Sequence, residues 1–99
     1  MLSIQHLGQK DIQKLGNTQL VYYYFWWEHY IASRQQQLLY ILGQNEAMEL
    51  DRFWKYFTEI VMFDRPDLLW EHIVFGRELC IYRWVDAEYS RRLYDALGL

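Results

Sequence analysis

Helix-breaking residues cut this chain into four stretches, and that punctuation limits its folds more than any other feature. Pro66 is the only proline, and the five glycines stand at positions 8, 16, 43, 76 and 98. Gly16 and Gly43 each close an apolar periodic stretch and precede Asn, Thr or Gln, the order expected of a helix C-terminus followed by the next N-terminus. Asp64-Arg65-Pro66-Asp67 marks a third boundary, with Asp64 as the expected N-cap and Pro66 in the first turn.

Each stretch repeats its apolar residues at a helical period. In the first, Ser3 to Leu15, the residues Ile4, Leu7, Asp11, Ile12 and Leu15 fall at helical spacing, and Gly8 moves the expected helix start towards Gln9. In the second, Thr18 to Leu42, Leu20, Tyr24, Trp27, Ile31, Leu38 and Leu42 form one stripe. The third, Glu46 to Phe63, sets Leu50, Phe53, Trp54, Phe57, Ile60 and Val61 on one face and the ladder Asp51, Lys55 and Glu59 on the other. The fourth, Pro66 to Leu97, begins with the stripe Leu69, Ile73, Gly76, Cys80 and Trp84. From Ile81 a rotated stripe takes over, made of Ile81, Val85, Tyr89 and Leu93. The rotation fits a break near Gly76, the favoured reading, or a continuous helix covered on two sides. Val21–Trp27 and Leu79–Val85 are rich in β-formers, but both lie inside longer helical periodicity without hairpin turns beside them. The expected fold is all-α: a single domain over residues 1–99, folded as a compact bundle of four to five helices. The core is expected to hold Leu50, Phe53, Trp54, Phe57, Ile60, Leu69, Ile73, Leu79 and Trp84.

Length and charge narrow the function. At 99 residues the chain has room for one core, and a net charge of −3 has the wrong sign for a phosphate binder. A lone cysteine, Cys80, allows no internal disulfide and is expected as a small buried core thiol. The N-terminus lacks the pattern of a signal peptide, and the most apolar run, Leu20–Trp27, is far short of a membrane span. The chain reads as a small acidic cytoplasmic protein with no membrane association.

One pattern repeats. Trp27-Glu28-His29-Tyr30-Ile31-Ala32-Ser33-Arg34-Gln35 aligns with Trp70-Glu71-His72-Ile73-Val74-Phe75-Gly76-Arg77-Glu78. This suggests a duplicated helical hairpin, with chance similarity as the competing explanation. It also raises an alternative function, a small-ligand or metal pocket using Glu28, His29, Glu71 and His72. Dinuclear carboxylate bundles, however, use Glu-x-x-His, which aligns both ligands, whereas adjacent Glu and His point about 100° apart. His29 and His72 are therefore expected as half-buried, hydrogen-bonded residues. No metal or cofactor is called for.

Catalytic arrangements are lacking. Cys80 and His72 are eight residues apart on one helix, about 12 Å along its axis, too far for proton transfer. No nucleophile elbow or glycine-rich phosphate loop occurs. Asp11–Gln19 has the outline of a helix-turn-helix turn, but the helix that follows has no Lys or Arg from Gln19 through Ser33. Arg77, Arg83, Arg91 and Arg92 alternate with acids, and Glu88–Arg92 and Arg91–Asp95 have the spacing of solvated helix ion pairs. The expectation is no enzyme and no nucleic-acid partner.

What remains is an aromatic surplus: 19% of residues, with five Trp, nine Tyr and five Phe. In the second stretch Tyr22, Tyr23, Trp26 and Tyr30 gather off the core stripe, continuing towards Ser33, Gln37 and Tyr40. Mixed aromatic and polar surfaces of this kind are typical of recognition patches. The sequence thus points to a non-catalytic protein-binding module, of inhibitor, adaptor or assembly-factor type. Its partner would be another protein or a second copy of itself, giving a homodimer.

Overall fold

The computed structural model describes residues 7–99, so Ile4 of the first predicted face lies outside the described residues. The elements are α1 (Gln9–Gln13), α2 (Asn17–Ile41), α3 (Leu50–Phe63), a 3-10 turn (Pro66–Leu68) and α4 (Leu69–Leu97). There is no strand among the described residues. The all-helical expectation holds, including for the β-rich runs Val21–Trp27 and Leu79–Val85. The helices form two compact units. One takes the chain up to Ile31 together with Glu78–Leu99, and the other is Ala32–Arg77. Both α2 and α4 contribute residues to each.

In the first unit, the short α1 is fixed by its ends. The Gly8 amide donates to Asp11 Oδ2 at 3.0 Å, and the Ile12 amide donates back to the Gly8 carbonyl at 3.1 Å. Leu7 and Ile12 hold the two positions of a hydrophobic staple, and both are buried. The Gly16 carbonyl then accepts the Leu20 amide at 2.9 Å, so Gly16 opens α2 instead of closing α1. Arg92 ties the far end of α4 to this corner. Its guanidinium donates to Asn17 Oδ1 at 2.9 Å and to the Gln13 carbonyl at 3.1 Å.

In the second unit, Gly43 ends α2 as predicted. With φ at 76° it occupies the left-handed region, and the Gln44 amide reaches back to the Leu39 carbonyl at 2.9 Å in a Schellman cap. The predicted start of the third helix at Glu46 is corrected to Leu50. Glu49 is still extended, and the buried Gln35 amide donates to the Met48 carbonyl at 2.7 Å, holding this stretch as a loop. Phe53, Phe57 and Val61 are buried as expected, while Leu50, Trp54 and Ile60 are half-buried. Asp64 is a second correction: it caps the C-terminus of α3, and the Arg65 side chain pairs with Asp67 across the 3-10 turn at 2.9–3.0 Å.

No break occurs at Gly76, and α4 is continuous. Its buried positions instead shift around the helix. Phe75 is buried in the second unit, following Leu68 of the 3-10 turn, and Leu79, Ile81, Val85 and Glu88 are buried in the first. The predicted stripe Leu69–Ile73–Cys80 is the outward face. Leu69, Ile73 and Cys80 are exposed and Trp84 is half-buried, so Leu69 and Ile73 leave the expected core and Cys80 is not a core thiol.

Candidate functional site

Within the first unit, α2 buries Leu20, Tyr23, Trp27 and Ile31 at spacings of three and four residues. That stripe places the four predicted contact residues in three different environments. Tyr22 is 58% exposed. Trp26 and Tyr30 are half-buried. Tyr23, at 9%, is core, because it lies one turn from both Leu20 and Trp27 on the buried side. Tyr23 is therefore withdrawn from the candidate surface.

Two residues outside the predicted cluster join the surface instead. Phe25 is 56% exposed, and Val21, one turn earlier, is exposed beside it. Their i,i+4 spacing is readable in the sequence. The tyrosine cluster masks it, because nothing local marks the side opposite Trp27 as the outward one.

The outward rings are held by one another and by the core. Trp26 and Tyr30 stack with centroids 5.0 Å apart and planes at 13°. Each meets buried Trp27 edge-on, at 5.1 Å and 5.6 Å. Tyr22 sits edge-on to Tyr23 at 5.8 Å. On the other flank Tyr24 and Tyr89 of α4 lie parallel at 3.9 Å, and Phe25 meets both edge-on. The Tyr24 hydroxyl donates to Glu28 Oε1 at 2.7 Å. That bond, with burial and the Glu28 charge behind it, pushes the phenol well above its ordinary pKa and fixes it as a donor. Rings pinned in this way lose little rotamer freedom on binding.

The repeated Trp-Glu-His segments do not serve equivalent roles. Trp27 is fully buried, with no hydrogen-bond partner for Nε1 among the described residues, whereas Trp70 is 68% exposed. Glu28 accepts from Tyr24, whereas Glu71 forms an ion pair with Arg34. His29 is exposed, against expectation. His72 is half-buried, stacked on Trp54 at 4.4 Å and 3.0 Å from Thr58 Oγ1. The Thr58 hydroxyl donates its one proton to the Trp54 carbonyl at 2.8 Å, so Oγ1 must accept from His72 Nε2–H. Burial holds the imidazole below its ordinary pKa. Glu71 and His72 are thus engaged in local structure, and no group of three or more His, Cys, Asp or Glu side chains among the described residues could hold a metal.

Both predicted ion pairs form: Arg92 with Glu88 at 3.4 Å and Arg91 with Asp95 at 3.0 Å. Glu88 is not solvated as expected, however. It is buried, and Arg91 also reaches it at 2.6 Å, holding its carboxyl below the ordinary range. No helix among the described residues is long and apolar enough to cross a membrane. No known protein family, curated protein or solved structure matches the chain.

Proposed function

We propose that the chain is a non-catalytic protein-binding module that docks the outward aromatic face of α2 onto another protein, acting by occlusion or scaffolding. The observation that carries this reading is the pair Tyr22 and Phe25, both more than half exposed on one helix face. Flanked by Val21 and by the stacked Trp26 and Tyr30, they form an apolar patch that a soluble monomer seldom leaves bare. Tyr and Trp are also the side chains that most often anchor interfaces.

The double variant Tyr22→Ala/Phe25→Ala tests the reading, with Tyr23→Ala as its structural counterpart. In affinity capture from host extract, the double variant loses the proteins retained by the wild type and keeps its melting temperature. Tyr23→Ala melts earlier, since it removes a core ring. Unchanged capture by the double variant, or its unfolding, sinks the proposal.

A further inference from the structure

The chemistry of the occupant can be read one step further, on the assumption that this face docks a protein. Within the first unit α2 and α4 run antiparallel, since Asn17 meets Arg92 and, seven residues further along α2, Tyr24 meets Tyr89. Around the Tyr24–Phe25–Tyr89 contact the two helices diverge in character. One turn back along α2 stands Val21, and one turn forward along α4 stands Leu93, both exposed and apolar. In the other direction the next turn of α2 carries Glu28, and the next turn of α4 carries Asp86.

Neither carboxylate forms an ion pair with a lysine or arginine among the described residues. Because Tyr24 and Tyr89 stack and the helices run antiparallel, Glu28 and Asp86 both stand one turn beyond that contact at the same end of the surface, where each also raises the phenol pKa values of Tyr24 and Tyr82. No Lys or Arg occurs on α2 from Gln19 through Ser33; His29 adjoins Glu28, and Arg83 stands three residues before Asp86 on α4. The rows Val21–Phe25 and Tyr89–Leu93 therefore form a surface that runs from apolar to acidic. Two antiparallel ridges of i,i+4 residues are the geometry that receives a third helix.

We propose that the occupant is a basic amphipathic helix: its apolar side chains cover Phe25, Val21 and Leu93, and a lysine or arginine further along is received by Glu28 and Asp86. The basic stem packs along the Phe25 ring while its head reaches the carboxylates. Charge complementarity of this sort sets orientation and partner choice more than it sets raw affinity.

Two synthetic helical peptides with the same leucine face, one flanked by lysines and one by glutamates, test this by fluorescence anisotropy. The lysine peptide should bind at least about tenfold more tightly, with an advantage that shrinks as salt is raised. Glu28→Gln/Asp86→Asn should remove that advantage while keeping the fold, since the amide oxygen of the substituted side chain still accepts from the Tyr24 hydroxyl. Glu46→Gln/Glu59→Gln, which removes two exposed charges from the other unit, should leave it intact. Tyr22→Ala/Phe25→Ala should abolish binding of both peptides. Equal binding of the two peptides, or a preference that survives Glu28→Gln/Asp86→Asn, overturns the basic occupant while leaving aromatic docking standing. Binding that is indifferent to Tyr22→Ala/Phe25→Ala overturns both. Self-association of the chain that is lost in Phe25→Ala but unmoved by Glu28→Gln/Asp86→Asn would identify a second copy as the occupant, and so also overturns it.

Discussion

At Gly76 an added methyl group would press on a neighbouring ring. A Cβ built there would stand 3.0 Å from the outer edge of the Trp54 indole. That ring has little freedom to withdraw, because His72 stacks on it at 4.4 Å and Phe75 and Phe57 close on it at 5.9 and 6.3 Å. Glycine inside a helix costs about 1 kcal/mol relative to alanine, while forcing extra bulk into a packed site costs about 1–3 kcal/mol. The second effect should win. Gly76→Ala is therefore expected to lower the urea midpoint of the wild type. In a Trp54→Leu background, where the indole edge is gone, the same change should raise the midpoint by the propensity gain. Additivity of the two substitutions would show that the glycine serves no such contact. This position also shows why a break was expected where none exists: local rules treat a mid-helix glycine as a weak point, and nothing near Gly76 in the chain announces a ring from α3. Gly43 was legible because its role, a left-handed C-cap, is local.

For whole elements, legibility depended on how many sides of a helix are covered. The single apolar face of α3 could be read directly, and Phe53, Phe57 and Val61 are buried on it. In α4 the period was equally clear, but a period identifies a face without saying whether anything covers it. Leu69 and Ile73 proved to be outward, and Phe75 and Val85 are the fully buried positions. The same ambiguity hid Tyr23 on α2, where adjacent aromatics occupy every side of the helix. The two faces of α4 should separate sharply by substitution. Leu69→Gln and Ile73→Gln are expected to change stability by within about 0.5 kcal/mol, as surface changes do. Phe75→Ala should cost about 3–5 kcal/mol, through lost burial and the cavity it leaves. Denaturant unfolding of the three variants checks this, and a large loss for Ile73→Gln would mean the outward face is covered in solution.

At the scale of the whole molecule, the response to acid includes His72 of one unit and Glu88 of the other, and their signs can be worked out separately. His72, in the second unit, has its pKa lowered by burial beside Trp54 and Phe57. As pH falls below the ordinary imidazole value of about 6.5, the unfolded chain takes up a proton that the folded chain refuses. Its stability is therefore undiminished above that value and declines as pH falls towards the lower folded one. Glu88, in the first unit, has its pKa lowered by hydrogen bonds from Arg91 and Arg92, with burial opposing. Its contribution is full above the ordinary carboxylate pKa of about 4.3 and is lost as pH falls through the lower folded value. The wild type should thus lose melting temperature in two windows, one opening as pH falls below about 6.5 and a second as it falls below about 4.3. His72→Gln should flatten the first window and leave the second. Glu88→Gln should shrink the second window and leave the first, while also lowering the melting temperature at neutral pH, because Arg91 and Arg92 lose their shared carboxylate. Melting curves of the three proteins at about pH 7.5, 5.5 and 3.5, which lie above both onsets, between them and below both, distinguish these outcomes. If His72→Gln left the first decline in place, His72 would not be its source, and neither the Trp54 stack nor the Thr58 bond would govern the acid response.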